Sequence, residues 1–199
     1  MNPAVVEAIR AGKPVLLPTD TVYGLCSSPY RAEVVERVYR LKGRDPAQPS
    51  AILAADLEFL FECVPELRGR AGTILRALLP GPYTVVVPNP ARRYRWLTGS
   101  RPDTIGVRVP ELPEEASRVL ERVGAVVATS ANLAGGPDPR RLEDVPAELR
   151  AKVAAEVDAG ALPGTPSTVL DVTGADPVVL REGAVPAEDA LARVRSALG

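Results

Sequence analysis

The sequence contains no histidine. This absence excludes a Ser-His-Asp triad, a cysteine nucleophile activated by histidine, and any zinc site with histidine ligands. Catalysis, if there is any, must therefore depend on carboxylates, hydroxyls, lysine, arginine, backbone amides or a metal ion held by oxygen ligands.

Cysteine is also scarce, with Cys26 and Cys63 the only two in the chain. Two cysteines cannot form a disulfide framework or a four-cysteine zinc site. Both lie in or near apolar runs without a neighbouring base, so we interpret them as buried packing thiols in preference to catalytic ones. Their small number is typical of a reducing compartment, and we expect a cytoplasmic location.

Lysine is rare in the chain, and long apolar runs are absent from its first residues. The 24 basic residues include only three lysines, and the net charge is −1. This balance predicts no general attraction to nucleic acid, so any anion-binding site must be a local cluster. The first twelve residues carry one acidic and one basic side chain and no long apolar run, which predicts neither a signal peptide nor a membrane span.

The chain does have the composition of a globular protein of about one domain, with 199 residues of which 46% are hydrophobic. Apolar spacing predicts helices over 3–11, 31–41, a short segment from 56, 70–79, 114–122, 145–157 and 187–198. Short apolar runs predict strands over 15–17, 51–54, 83–87, 105–109, 125–128, 168–172 and 178–180. We therefore expect a single α/β domain over residues 1–199, built on a twisted, open, mixed sheet whose last two strands are antiparallel.

Polar segments adjoin the apolar runs at four places, which are residues 18–25, 42–44, 130–132 and 167–168. In open α/β sheets, ligands bind beyond the strand ends, where small polar side chains can meet. Lys42 and Arg44 fit either a phosphate clamp or charges that complement the end of a helix. Ser130 and the 19–21 segment fit either binding loops or ordinary hydroxyl-rich turns. Neither a P-loop nor a Rossmann glycine motif occurs.

Seven short motifs appear in a fixed order across most of the chain. They are Pro18-Thr19-Asp20-Thr21-Val22-Tyr23-Gly24-Leu25, Lys42-Gly43-Arg44, Pro80-Gly81-Pro82-x-Thr84, Val107-Arg108-x-Pro110, Ser130-Ala131-Asn132-x-x-Gly135, Ser167-Thr168-Val169 and Leu180-Arg181-x-Gly183. Their order and spacing resemble the YrdC family, the L-threonylcarbamoyladenylate synthases, in its single-domain form. The resemblance implies a YrdC-like fold, a twisted open α/β sheet, in agreement with the pattern above.

The resemblance also implies a nucleotidyltransferase that uses ATP with Mg²⁺. In that reaction, L-threonine and bicarbonate or CO₂ form a carbamate, which attacks the α-phosphorus of ATP and expels pyrophosphate. The product, threonylcarbamoyl-AMP, would pass to a tRNA-modifying protein complex that acts on the adenosine beside the anticodon (t6A). The absence of histidine does not obstruct such chemistry, because it depends on positioning and on neutralising phosphate charge.

Site residues follow from the same resemblance. It implies catalytic phosphate contacts for Lys42 and Arg44, and it assigns no residue as a metal ligand. The implied nucleotide-binding positions are Arg44, Thr104, Ala128, Ser130, Asn132 and Arg181. The implied L-threonine positions are Thr21, Tyr23, Arg108 and Ser167. The fork of the Arg108 guanidinium suits the carboxylate of threonine.

The chain departs from the family pattern at two places. Gln48-Pro49-Ser50 stands where the family often has Asn-Pro-Leu, and Leu53 stands where it often has histidine. Both departures concern the recognition of threonine.

Two other hypotheses stay open. One is a YrdC-like RNA-binding paralogue without synthase activity, in which Arg92-Arg93-Tyr94-Arg95-Trp96 contacts RNA. A solvated loop is the competing interpretation of that segment, and the net charge favours it, so that any contact with tRNA is expected to be weak. The other hypothesis is a related carbamoyl-adenylate enzyme, whose YrdC-like domain lies within a longer chain with zinc fingers. Two cysteines and no histidine argue against it.

Overall fold

Helices and strands alternate along residues 2–199, the part of the chain that our computed structural model describes. The helices are α1 (Pro3–Arg10), α2 (Ala32–Lys42), α3 (Leu57–Cys63), α4 (Arg70–Leu78), α5 (Glu114–Val123), α6 (Ala147–Arg150) and α7 (Ala187–Leu198). The strands are β1 (Val15–Pro18), β2 (Tyr23–Ser27), β3 (Ala51–Ala54), β4 (Tyr83–Pro88), β5 (Thr104–Arg108), β6 (Ala125–Ser130), β7 (Ala155–Glu156), β8 (Thr168–Asp171) and β9 (Val178–Arg181).

These strands form one mixed sheet in the order β7-β1-β2-β6-β3-β5-β4-β8-β9. The neighbours β1–β7, β3–β5 and β4–β8 are parallel, and the other neighbouring pairs are antiparallel, including the predicted pair β8–β9. The expected fold class, an α/β structure on a mixed sheet, is confirmed.

The two faces of the sheet bury different helices, because successive side chains of a strand point to opposite faces. Leu16 and Ile52 belong to a large apolar cluster with side chains of α2, α3, α4 and α7. Their neighbours Leu17 and Leu53 belong to a second cluster with α1 and α5. The alternation along β1 and β3 thus fixes which face each helix covers.

The predicted helix over 145–157 is wrong. Only the single turn α6 forms, and the chain then pairs β7 with β1, with Ala155 opposite Val15. Val157 is buried and its amide donates to the carbonyl of Leu16. The apolar residues in this segment recur at helical spacing, but extending the sheet buries them equally well, and tertiary pairing overrides the local pattern.

Residues 18–27 form a hairpin, although the sequence pattern predicted only an irregular polar segment there. The Thr19 hydroxyl accepts hydrogen bonds from the amides of Thr21 and Val22, each at 3.2 Å, which closes the turn between β1 and β2. Residues 19–21 thus form a turn closed by a side chain, one of the two interpretations that the sequence allowed. The turn places Asp20 and Thr21 at the end of the sheet, where β2 pairs with β6.

Candidate active site

A cavity of about 310 Å³ lies on the sheet face that carries α1 and α5, and no helix of the described residues contributes to its wall. Three small residues on adjacent central strands form part of this wall. Ala51 of β3 stands opposite Gly106 of β5 on one side and Ala128 of β6 on the other. Because these side chains are short or absent, a ligand can approach the backbone of the sheet closely.

Arginine side chains dominate the charge of the cavity. Its wall contains one acidic residue, Asp138, and four arginines, which are Arg44, Arg101, Arg108 and Arg181. Arg101 pairs with Asp171 at 2.9 Å and Arg108 pairs with Asp20 at 2.6 Å. Within residues 2–199, Arg44 and Arg181 have no carboxylate partner. The excess positive charge favours an anionic ligand.

Arg44 lies directly after α2, which ends at Gly43 in a left-handed conformation with φ 65°. Its guanidinium donates to the Thr129 hydroxyl at 3.1 Å and to the Pro49 carbonyl, while its Nε has no partner. Burial lowers the pKa of Arg44, and the positive charge of Arg181 lowers it further. An anion between the two guanidinium groups would relieve both effects.

Arg108 and Asp20 form an ion pair that is largely withdrawn from solvent. The side chain of Asp20 is 7% exposed and that of Arg108 12%. Burial raises the pKa of Asp20 and lowers that of Arg108, and in each case the charge of the partner opposes the effect of burial. The pair fixes the direction of the Arg108 fork, whose Nε has no partner in the described residues.

Lys42 does not line the cavity, although the resemblance implied a direct phosphate contact. The residue is only 5% exposed. It donates to the Ser130 carbonyl at 2.6 Å, to the Ser130 hydroxyl at 3.0 Å and to the Asn132 side-chain oxygen. Burial lowers the pKa of Lys42 to about 8, with a further contribution from the charge of Arg44. Lys42 therefore lies behind Ser130 and Asn132 and holds the end of β6.

Most of the other implied site residues do meet at the cavity. Its wall includes Thr21, Thr104, Ala128, Ser130, Ser167 and Arg181. Ser167 and Thr84 share a hydrogen bond of 2.8 Å between their hydroxyls, and Arg181 donates to the Ser167 carbonyl at 2.8 Å. These contacts couple the start of β8 to β4 and to the guanidinium of Arg181.

Tyr23 and Asn132 are not part of the wall. Tyr23 is buried, and the single proton of its hydroxyl is shared between the Asp158 carboxylate and the Gly160 carbonyl, each at 2.9 Å, while its oxygen accepts from the amide of Ala159. The structure therefore does not place Tyr23 in position for the implied contact with threonine. The phenol anchors the segment that follows β7.

Sequence reasoning missed several polar residues of the wall, which include Ser50, Thr84, Arg101 and Asp138. Thr84 stands in one of the quoted motifs but had no assigned role. Ser50 was noted only as a departure from the family pattern. Arg101 follows an irregular loop, and no pattern in the sequence points to it.

The departures from the family pattern have different outcomes. Pro49 and Ser50 line the cavity. Leu53 is buried under α1 and α5 and does not reach the wall.

The two thiols are packing residues in this fold. Both are buried, and burial raises the pKa of Cys26 to about 12. Within residues 2–199, no group of three or more acidic or cysteine side chains is placed to hold a metal ion. In the same part of the chain, no helix has the length and apolar character to cross a membrane.

Comparison with known proteins adds a family and several relatives. The model of a family of Sua5, YciO and YrdC proteins, described as "Telomere recombination", matches residues 7–183. The threonylcarbamoyl-AMP synthase of Pyrococcus abyssi is 35% identical over 184 residues, which are 91% of this chain and 53% of that protein. A relative from Mycobacterium tuberculosis is 34% identical over 197 residues, which are 98% of this chain and 88% of that protein.

Solved structures agree with the assignment of the fold. The crystal structure of Pyrococcus abyssi Sua5 complexed with L-threonine is similar, with a TM-score of 0.86 and 34% identity. The match covers 98% of this chain and 56% of that one. The chain thus spans about half the length of the Pyrococcus relatives and most of the mycobacterial one.

Proposed function

Because the chain belongs to the family of Sua5, YciO and YrdC proteins, we propose that it makes L-threonylcarbamoyl-AMP from ATP, L-threonine and bicarbonate. The single observation that supports this most is the charge arrangement of the cavity. Two guanidinium groups without carboxylate partners, those of Arg44 and Arg181, suit phosphates, whereas the paired Arg108 suits an amino-acid carboxylate.

The chemistry has two steps that balance without any redox partner. The uncharged amino group of threonine attacks the carbon of bicarbonate or CO₂. One amine proton leaves with the departing hydroxide as water when bicarbonate is the donor, and it is released to solvent when CO₂ is the donor. A carbamate oxygen then attacks the α-phosphorus of ATP, and the bond to the β-phosphate oxygen breaks to release pyrophosphate. The magnesium ion enters with the triphosphate as part of the substrate.

The protein's contribution to these steps is positioning and charge. Arg44 and Arg181 bind the phosphates and stabilise the charge that develops on the leaving pyrophosphate. Ser130, Thr104 and the backbone at Ala128 contact the nucleotide. We assign Lys42 and Asn132 to holding Ser130 in place, since the Lys42 ammonium donates to both residues.

The amino acid lies at the other side of this arrangement. Arg108 binds its carboxylate, and the hydroxyls of Thr21 and Ser167 complete the contacts in the cavity wall. The wall contributions run from residue 21 to residue 181 on one sheet, which supports treating residues 1–199 as one functional domain. The adenylate would then serve a protein complex that modifies the adenosine beside the tRNA anticodon.

Pyrophosphate release tests the proposal directly. We expect release to require ATP, Mg²⁺, L-threonine and bicarbonate together, because the nucleophile is a carbamate that must form first. L-serine should react on the order of tenfold more slowly, since it lacks a methyl contact worth about 1 kcal/mol. Equal release with and without threonine, in buffers containing bicarbonate, would refute the proposed function.

A further inference from the structure

Two arginines of the cavity wall have carboxylate partners that lie outside the wall, and the two pairs differ in burial. Arg101, which pairs with Asp171, is half exposed. Arg108 and its partner Asp20 are both largely buried. Burying two charges costs the hydration of each, so a buried ion pair is weak evidence for a gain in stability. The burial of Asp20 against Arg108 therefore points to a role at the site.

The main chain around Asp20 is held in place by its neighbours in the turn between β1 and β2. The Thr19 hydroxyl donates to the Val22 carbonyl at 2.7 Å, in addition to accepting from two amides of the turn. The Thr21 carbonyl accepts a hydrogen bond from the Gly164 amide at 2.8 Å. A side chain carried by a fixed main chain can hold its partner in one orientation.

Asp20 forms a hydrogen bond with only one nitrogen of the Arg108 guanidinium. Its Oδ1 accepts from Nη2 at 2.6 Å. Nη1 has no hydrogen-bond partner in residues 2–199 and, unlike Nε, it is not closed to solvent. Arg108 lines the cavity, whereas Asp20 does not. The Asp20 carboxylate thus fixes the fork and leaves Nη1 for a ligand.

We propose that Asp20 is a positioning residue, which holds the Arg108 guanidinium so that its open terminal nitrogen donates to the carboxylate of L-threonine. This inference rests on the function proposed above, and it assigns a role to a residue outside the cavity wall. Asp20 acts through Arg108 and does not itself touch the substrate.

A neighbouring positive charge explains why Arg108 needs to be held. Burial lowers the pKa of Arg108, the charge of Asp20 opposes this effect and the charge of Arg181 adds to it. Like charges at one cavity repel each other, so an Arg108 side chain released from Asp20 would turn away from Arg181. Each rotamer that misdirects the fork loses a charge-assisted hydrogen bond to the substrate.

Steady-state kinetics of the full chain test this role. We expect Asp20→Asn to raise the KM for L-threonine about tenfold, which corresponds to the loss of one charge-assisted hydrogen bond. The KM for ATP and kcat should stay within about twofold of the wild type. Asp171→Asn is the matched control, because it removes the carboxylate partner of another wall arginine, and its KM for L-threonine should equal that of the wild type.

The direction of the change is itself decisive. A lower KM for L-threonine in Asp20→Asn would mean that Asp20 competes with the substrate for the guanidinium, and it would overturn the proposal. Equal rises in the KM values for L-threonine and ATP would also overturn it, since they would indicate a general structural role.

Two further variants test whether Asp20 acts through Arg108 and through its position. Arg108→Lys keeps the charge but loses the fork, so adding Asp20→Asn to it should change the KM for L-threonine by less than about twofold. A further tenfold rise, about the effect expected in the wild type, would show independent action and overturn the proposal. Asp20→Glu keeps the charge and avoids an unpaired guanidinium if Asp20→Asn does not fold. Because it shifts the carboxylate by one methylene, it should raise the KM for L-threonine at least about threefold, and a wild-type KM would overturn the proposal.

Binding without turnover separates this inference from the proposed function. L-Threonine should raise the melting temperature of the wild type and of Asp171→Asn more than D-threonine does at the same concentration, and it should raise that of Asp20→Asn less. A wild type that shows this stabilisation but releases no pyrophosphate would refute the function, while the difference from Asp20→Asn would still support the positioning role. No stabilisation of the wild type, or equal stabilisation of all three proteins, would overturn the positioning role.

Discussion

Arg44 carries more of the proposed chemistry than any other residue of the cavity. It joins the wall through a guanidinium that protein groups hold by only two hydrogen bonds, to Thr129 and Pro49. No carboxylate in the described residues neutralises it, in contrast to Arg101 and Arg108. Its charge is thus available to a phosphate, and its loss should affect catalysis more than folding.

Replacing Arg44 by alanine should lower kcat/KM for ATP roughly 30- to 150-fold. This corresponds to the loss of about 2 to 3 kcal/mol of transition-state binding for a charge-assisted contact. The free energy of unfolding in urea should change by no more than about 1 kcal/mol. Arg40→Ala serves as the control, because Arg40 is exposed in the last turn of α2, four residues before Arg44. Normal turnover by a folded Arg44→Ala protein would contradict the phosphate contact and favour the alternative, in which the Arg44 charge complements the end of α2.

Lys42 illustrates how a motif can predict importance without predicting contact. The resemblance implied a phosphate ligand, but the ammonium is buried against three oxygens of Ser130 and Asn132. No property of the tripeptide Lys42-Gly43-Arg44 distinguishes a side chain that faces a ligand from one that supports the adjacent strand. That distinction depends on how α2 packs against β6, which is a tertiary property.

The depressed pKa of Lys42 predicts a pH-dependent stability. Its pKa is about 8 in the folded protein and about 10.4 in an unfolded chain. Between these values the unfolded chain binds more protons, so the contribution of Lys42 to the free energy of unfolding rises with pH. The stability of the wild type relative to Lys42→Met should increase by up to roughly 3 kcal/mol from pH 7.5 to 10.5. Urea titrations of both proteins measure this, and a constant difference across that range would contradict the burial of the charge.

At the scale of elements, most of the fold followed from local pattern. Apolar runs such as 51–54 and 125–128 became central strands because nothing competes with their burial in the sheet. The helix predicted over 145–157 was wrong because a helix and an edge strand beside β1 would bury the same side chains. The hairpin at 18–27 was missed because its turn is closed by a threonine side chain, which an apolar pattern does not register.

The predicted site residues also fall into two groups, those that line the cavity and those that do not. The motifs singled out Arg44, Ser130, Ser167 and Arg181, and all four line one cavity. Ser130 and Arg181 end strands β6 and β9, Ser167 directly precedes β8, and Arg44 follows α2. Tyr23 stands in one of the same motifs but does not line the cavity. It alternates onto the opposite face of β2 from Gly24 and faces the large apolar cluster, so its hydroxyl meets the segment after β7.

This placement predicts a structural role for the Tyr23 hydroxyl. Tyr23→Phe removes hydrogen bonds to Asp158, Ala159 and Gly160, and we expect the free energy of unfolding to fall by about 1 to 2 kcal/mol. The KM for L-threonine should stay unchanged. Chemical denaturation and steady-state kinetics on the same preparation check both statements. A selective increase in the KM for threonine, with unchanged stability, would restore the contact implied by the sequence.

At the scale of the whole molecule, acidic and basic residues nearly balance, whereas the cavity wall holds four arginines against one aspartate. The net charge is −1, so no long-range field draws polyanions to the chain. The basic and aromatic segment 92–96 is partly engaged within the protein. Arg93 pairs with Glu66 at 2.8 Å, and the Trp96 indole donates to the carbonyl of Pro29 at 2.8 Å. Few of its groups are left to contact RNA.

We therefore expect the free chain to bind tRNA no more tightly than ~10⁻⁵ M at physiological salt, as for non-specific contacts. Among the residues that the structure describes, Arg92 and Arg95 have no carboxylate partner. The slope of log K against log salt concentration should therefore be no steeper than about −2. Titration of labelled tRNA at two salt concentrations measures both quantities. Submicromolar binding that disappears when Arg92, Arg93 and Arg95 are replaced, in a protein that releases no pyrophosphate, would favour the RNA-binding paralogue over the synthase. The synthase predicts the opposite combination, because an enzyme that makes a small-molecule adenylate in its cavity requires no affinity for the RNA that finally receives the threonylcarbamoyl group.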